Sequence, residues 1–487
     1  MFNLYQISKY GFLGNKSEEH LPQELNYLKE FYEIYHQYHV SELRQAVDNY
    51  PFELPTWQLS ELKLSEIQHI YSLSGILVHL YVYGEKPYQT EVPKILGKIW
   101  WESAKLLDLD CQLNYSCLVL YNWKLKDSEK DLSLENIEPR YQLLRSSEIS
   151  KTEYNYLKTL IAIEGLTGSV IHDIEGVYMN LDSESETHNL KLEQYFKNIL
   201  DKLEKQTELY FQIFQKCIPN QFYYKLYHWY RRAPDDIIML EIENHQYQAI
   251  NVGSFSFLQS SLFQVLDIFF DIELSIEDRS DLIIQGIPGG HLKYLEFLKK
   301  KPKILSDIAD HKSKIIQKLY YQCLKEIMMF RNTYLEFLKK YIFNFEIQKP
   351  EKSLSHPLNI YLKKYLEGVK ELSNIIDTII EEDDSSEEDF DRETQTFMEY
   401  IDEHSEMDIV ENVDDLGYFR RLFQVENLDK ILKYLILFIC TYIVSIIWIH
   451  IIVNLIEGHL SYSYENGSYD SVLIILSYLS VRWLLFK

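Results

Sequence analysis

Apolar residues along this chain recur at steps of three and four over long stretches, the spacing that gathers side chains onto one face of an α-helix. The run from Phe330 to Ile342 shows it best. There Phe330, Tyr334, Phe337, Leu338 and Tyr341 fall on a shared face that should point into a core. Between Tyr154 and Ile171 the positions Tyr156, Leu160, Glu164 and Gly168 share another face, with Glu164 an acid on an otherwise apolar stripe. Residues 76–83 are apolar apart from His79 and read as a buried segment with a core histidine. Turn formers are scarce, 16 glycines and 12 prolines among 487 residues, so the pattern predicts an all-α protein rather than many short strands.

The pattern changes towards the C-terminus. From Glu381 to Asp415 there are seventeen acidic residues against Arg392, too much charge to pack, which predicts a solvated linker. Tyr434 to Ile456 is then apolar apart from Thr441, Ser445, His450 and Asn454, and its 23 residues suffice to cross a bilayer as one helix. A shorter run, 472–486, contains Arg482. Lys430 and Lys433 precede the first run and Lys487 follows the second, a layout that suits a hairpin with both ends on the positively charged side of a membrane. A buried pair of core helices is the alternative. The expected organisation is a small helical domain over 1–110, a larger helical domain over 111–380, the acidic linker over 381–415 and a membrane-associated helical hairpin over 416–487.

Net charge is −25, much of it in that acidic run, and such a balance argues against nucleic-acid backbones as partners. Cys111, Cys117, Cys217, Cys323 and Cys440 are scattered without a C-x-x-C pair, so free thiols on the reducing side of a membrane are expected. The first residues lack the basic and apolar regions of a signal peptide. His36 and His39 lie one turn apart without further ligand candidates nearby, which reads as a solvated helix face and not a metal site.

Four segments carry more specific patterns: Tyr115-Ser116-Cys117-Leu118-Val119-Leu120-Tyr121-Asn122-Trp123-Lys124, the aromatic run Phe222–Tyr230, Gln259-Ser260-Ser261-Leu262-Phe263-Gln264-Val265-Leu266-Asp267, and Ile287-Pro288-Gly289-Gly290-His291. Together with Arg331-Asn332-Thr333-Tyr334 they resemble, in order and over about residues 10–375, the indoleamine 2,3-dioxygenase family. The resemblance implies a two-domain helical fold that holds haem between long helices and oxidises tryptophan or a related indoleamine.

It also implies roles for single positions. Tyr334 falls where the family places the histidine that ligates haem iron, and Arg331 where a propionate is contacted. Tyr115, Tyr156, Leu160, Phe222, Tyr223, Tyr227, Phe255 and Phe257 fall on the family's substrate-pocket positions, Tyr227 where an arginine binds the substrate carboxylate. Phe255 and Phe257 stand in a loop that is small and glycine-rich in the family, and Ser353–Pro357 stands where the family has a glycine lid. Bulk there crowds the approach of cofactor or substrate, and a phenolate favours ferric iron over the ferrous state that binds O2.

The expectation is therefore a dioxygenase-like protein that has lost haem-dependent oxidation, binds no cofactor, and serves as a membrane-tethered scaffold or subunit of a complex, held by residues 434–456 and 472–486. Two alternatives stand beside it. One is a haem protein ligated by Tyr334 with Arg331 at a propionate. The other is an active dioxygenase forming N-formylkynurenine, with Arg231 or Arg232 taking the carboxylate.

Overall fold

The computed structural model describes residues 2–14, 21–51, 58–145, 148–181, 185–230, 237–251, 255–272, 284–309 and 311–346. These all lie in the first of two units into which the chain divides, 1–392 and 393–487. The acidic run, the apolar runs 434–456 and 472–486, the segment 353–357, and Arg231 and Arg232 lie outside the described residues. Among the described residues no helix is long and apolar enough to cross a membrane.

Among the described residues the α-helices of six residues or more are α1 (Tyr27–Gln37), α2 (Val40–Asp48), α3 (Leu64–Tyr83), α4 (Lys94–Leu107), α5 (Glu148–Thr167), α6 (Val170–Asn180), α7 (Glu186–Lys216), α8 (Ser261–Phe269), α9 (Gly289–Leu298), α10 (Ile304–Ala309) and α11 (Lys314–Leu338). Helix α3 is apolar nearly all round and is accordingly buried from Ile67 to Tyr83 with the single exception of Gln68. Its polar groups are met inside: Ser72 Oγ donates to the Cys117 carbonyl at 2.7 Å, and His79 Nδ1 lies 2.9 Å from the Gly75 carbonyl, the core role expected of that histidine. His39 instead caps α2 from an exposed position, while His36 packs on the rings of Tyr32 and Tyr35.

Helix α7 buries Leu192, Phe196, Ile199, Leu203, Gln206, Leu209, Tyr210 and Ile213, a stripe at steps of three and four. It packs against α5, α6 and α11. Ring pairs Phe196–Tyr320, Tyr210–Phe330 and Phe214–Tyr341, with centroids 6.0, 5.4 and 5.8 Å apart, climb both helices together, so α7 and α11 run parallel. The faces expected to point inward do so. Phe330, Tyr334, Phe337, Leu338 and Tyr341 are buried, as are Tyr156, Leu160 and Glu164.

The fold departs from all-α in two small sheets. Strand β1 (Glu91–Val92) runs parallel to β4 (Ile237–Glu243), which pairs antiparallel with β5 (Gln246–Asn251), and β2 (Trp123–Leu125) pairs antiparallel with β3 (Ile137–Pro139). The β4–β5 hairpin has a local cause. Ile237, Ile238, Leu240 and Ile242 favour a pleated surface, Ile238 and Leu240 face inward, and the Asn244-His245 turn carries His245 at φ +59°. Gly97 on α4 admits the strand, since a Cβ there would meet the Glu241 carbonyl oxygen at 2.9 Å.

The N-terminal strap is fixed to this body at one tight point. Ser8 and Gly11 close a small turn with backbone bonds of 2.9 and 3.1 Å, and Trp123 Nε1 donates to the Leu13 carbonyl at 3.0 Å. The strap crosses the end of α5 at Gly168, where a Cβ would stand 2.5 Å from the Tyr10 carbonyl oxygen. Gly168→Ala must therefore displace backbone on one side, and we expect a loss of about 1–3 kcal/mol. A urea unfolding curve with an unchanged midpoint would show that the strap does not press on α5.

Candidate functional site

The residues singled out from the sequence converge where α11, α7, α5 and the turn before α8 meet. Tyr334, on α11, is buried, and three rings surround its phenol: Phe257 at 5.6 Å between centroids, Tyr210 at 6.0 Å and Phe337 at 6.5 Å. Phe257 itself touches five rings, those of Tyr115, Tyr210, Phe263, Phe330 and Tyr334, at 5.5–6.0 Å. Phe255 lies alongside, stacked on Tyr115 at 5.8 Å and 4.7 Å from Tyr230. Tyr156 on α5 joins this group to Phe222 and Phe337 at 5.0 and 5.7 Å. These distances are those of packed aromatic pairs.

Leu160 is buried on the same face of α5. Tyr223 and Tyr227 are half-buried in a separate stack with each other and, through Tyr223, with Phe345. That stack meets the main cluster at Phe222, 6.4 Å from Tyr227.

Polar side chains hold the turn that carries these rings. Ser256 caps the turn 257–259, and Gln259 Oε1 accepts from the backbone N–H of Tyr115 at 2.9 Å and of Ser256 at 3.2 Å. Gln264 Nε2 donates to the Leu258 carbonyl at 2.8 Å. Ser260 caps α8 through the Phe263 N–H and donates to Glu164 Oε1 at 2.5 Å; Ser261 Oγ lies 2.9 Å from His291 Nδ1. The Gln-Ser-Ser pattern thus serves to seat a loop. Burial pushes the Glu164 carboxyl up from its ordinary 4.5 to about 7, against the hydrogen bonds from Ser260 and Tyr115. Burial likewise raises the Tyr334 and Tyr115 phenols, and it lowers the imidazole of His291 to about 3.

Arg331 is fully buried. Its Nη2 donates to Asp267 Oδ1 on α8, and its guanidinium carbon sits 5.7 Å from the Phe263 ring centre. A buried charge of this kind persists only when paired. The chain supplies the partner itself.

Several members of the cluster carry no sequence signal of their role. Tyr210, Tyr230 and Phe337 complete the ring packing, and only the spacing on α7 and α11 hints that Tyr210 and Phe337 are buried. Ser260, quoted within a motif, has no pattern that ties it to Glu164, 96 positions away. Among the described residues no group of His, Cys, Asp and Glu is placed to hold a metal ion.

The family model described as indoleamine 2,3-dioxygenase matches residues 1–365. The chain belongs to the indoleamine 2,3-dioxygenase family. It is 24% identical to indoleamine 2,3-dioxygenase 1 of Mus musculus over 324 residues, which is 63% of this chain and 76% of that protein. The corresponding protein of Rattus norvegicus is 22% identical with the same coverage, 63% and 76%. The indoleamine 2,3-dioxygenase of Saccharomyces cerevisiae is 22% identical over 57% of this chain and 65% of its own length.

The resemblance to this family implies haem, and the residues around Tyr334 can be tested against that group. A porphyrin needs a flat slot beside its iron ligand, whereas this phenol is in contact with the rings of Phe257, Tyr210 and Phe337 and is held in its neutral form by burial. Arg331, at the propionate position, is matched by Asp267. As packed, this set of side chains does not fit the group, and no chemical step is derived through it.

Two outcomes follow from this arrangement. Phe257→Ala leaves a hole among five rings and should cost about 3–5 kcal/mol in a denaturant titration; a loss under 1 kcal/mol would mean the rings are not close-packed. Glu164 holds its proton more tightly folded than unfolded, so its contribution to stability is full below about pH 4.5 and is lost as pH rises towards 7. Glu164→Gln should flatten the pH dependence of the unfolding midpoint across that window, and identical wild-type and variant slopes would refute the assignment.

Proposed function

We infer that this chain keeps the dioxygenase-family architecture without the haem-dependent oxidation of tryptophan or indoleamine, and acts as a scaffold or complex subunit. The observation that supports this reading is the placement of Phe257 against Tyr334, Tyr115 and Tyr210 in the interior where the family resemblance puts cofactor and substrate. Filling that volume with rings stabilises the core and removes the room a reactant needs. A tether through residues 434–456 is part of the proposal and rests on the length and apolarity of that run.

Family membership favours a second reading, in which the chain oxidises an indole substrate as its relatives' names state, or binds haem through Tyr334. The match over residues 1–365 speaks for it. In that case Phe257 and its neighbours must swing aside to admit the cofactor, at the cost of their ring contacts.

One measurement separates the two. The purified full chain is titrated with haemin, oxidised and reduced, and its absorption is recorded beside that of Tyr334→Phe. The first reading expects no saturable one-to-one Soret band and no N-formylkynurenine from tryptophan under reducing conditions. A stoichiometric band that disappears in Tyr334→Phe, or product formation, establishes the second and overturns the first.

A further inference from the structure

The backbone of the β1–β4–β5 sheet fixes which groups its last strand turns outward. Met239 N–H donates to the Thr90 carbonyl at 2.8 Å, so Met239 faces β1. In an antiparallel ladder the N–H and C=O of one residue point to the same side, and successive residues alternate. Ile238 and Leu240 therefore face β5, where Ile250 and Gln248 are their mates, and Tyr247, Ala249 and Asn251 turn their backbone groups away from β4. Among the described residues no strand pairs with that side of β5. The Ala249 carbonyl accepts from Gln248 Nε2 at 3.0 Å, which leaves it a second lone pair.

An edge of this kind invites another strand, and proteins guard against it with charge, proline or a bulge. Strand β5 reads Gln246-Tyr247-Gln248-Ala249-Ile250-Asn251, without a charge or a proline in a chain that is 25% charged, and the register shift of the hairpin lies on β4, between Glu241 and Glu243. The sheet face turned away from α4 is bare as well. Ile237 is 58% and Tyr247 41% exposed, and Ala249 between their rows is exposed.

We propose that β5 pairs antiparallel with β5 of a second copy of this chain, about a two-fold axis at Ala249, so that the two sheets of three strands become one of six. Two-fold symmetry sets Ala249 against Ala249 and Tyr247 against Asn251. A chain of net charge −25 repels its own copy, so a self-facing contact needs a charge-free surface, and β5 supplies one. The smallest side chain falls at the axis. The pairing also lines up Ile237, Asn251, Tyr247 of the copy and Glu241 of the copy in one row, which brings the two bare apolar residues of the sheet face to either side of a single asparagine. An unrelated extended peptide would meet the backbone groups but has no cause to complete that row. The Glu241 carboxylates of the two copies stay about 20 Å apart, beyond the range of charges at physiological salt. One strand pair is small beside the ~1,600 Å² of a stable interface, so the dimer forms at high protein concentration. The proposal holds or fails whether or not the chain binds haem.

The test uses the full chain with Cys440→Ser; Cys111, Cys117, Cys217 and Cys323 are buried. Ala249→Cys and Tyr247→Cys are made separately, and disulfide formation under mild oxidation is followed. The pairing holds the two Cα atoms of position 249 about 5.5 Å apart, within disulfide reach, and those of position 247 about 14 Å apart, beyond it. Ala249→Cys should therefore cross-link about tenfold faster than Tyr247→Cys, and a mixture of Tyr247→Cys with Asn251→Cys faster than either alone. Association through residues 434–456 would raise all these rates alike and cannot produce the order. Ala249→Lys and Ala249→Glu should each lose self-association in sedimentation and regain it when mixed, because the axis sets position 249 against itself. Melting temperatures matching the wild type confirm that the variants fold. Equal rates at 247 and 249, no disulfide at either, or a Lys–Glu mixture no better than its components overturns the proposal. An Ala249→Cys chain that stays monomeric and resists a thiol reagent shows the edge covered by another stretch of the same chain, and faster capture of a cysteine-bearing extended peptide than of a second copy assigns the edge to peptide binding; either result overturns it.

Discussion

The side chain of Phe257 fixes the relation between α11, α7 and the turn that leads into α8. Its ring meets Tyr334 and Phe330 from α11, Tyr210 from α7, Phe263 from α8 and Tyr115 from the segment 115–120. Elements remote in sequence are thereby held by dispersion and edge-to-face contact, with no ion or disulfide required. Such packing is strong only when no ring can leave without opening a hole.

Polar groups act around that cluster as positioning devices. Gln259, Ser260, Ser261 and Gln264 satisfy backbone groups of the turn and tie it to Glu164 and His291. Left unmet, each of those buried groups would cost about 1–3 kcal/mol, so the motif defines the loop's path. Arg331 and Asp267 behave alike, each making the burial of the other tolerable.

Charge is distributed as unevenly as aromaticity. The acids gather in residues 381–415, densely enough to govern what that stretch can approach.

The sequence by itself determined the helical class, the family and the burial of α3, α5 and α11, because a 3.6-residue period of apolar side chains is local information. It also named Tyr334, Tyr115, Tyr156, Phe222, Phe255 and Phe257, which lie in one contiguous cluster. It did not reveal the β4–β5 hairpin, whose run of isoleucines is short enough to suit either a strand or a buried helix. Nor could it join Ser260 to Glu164, Asp267 to Arg331, or Phe257 to Tyr210, since these pairs are 96, 64 and 47 positions apart. Contacts across such separations follow from how the helices cross and run, and only the tertiary structure decided that the rings meet one another in the interior.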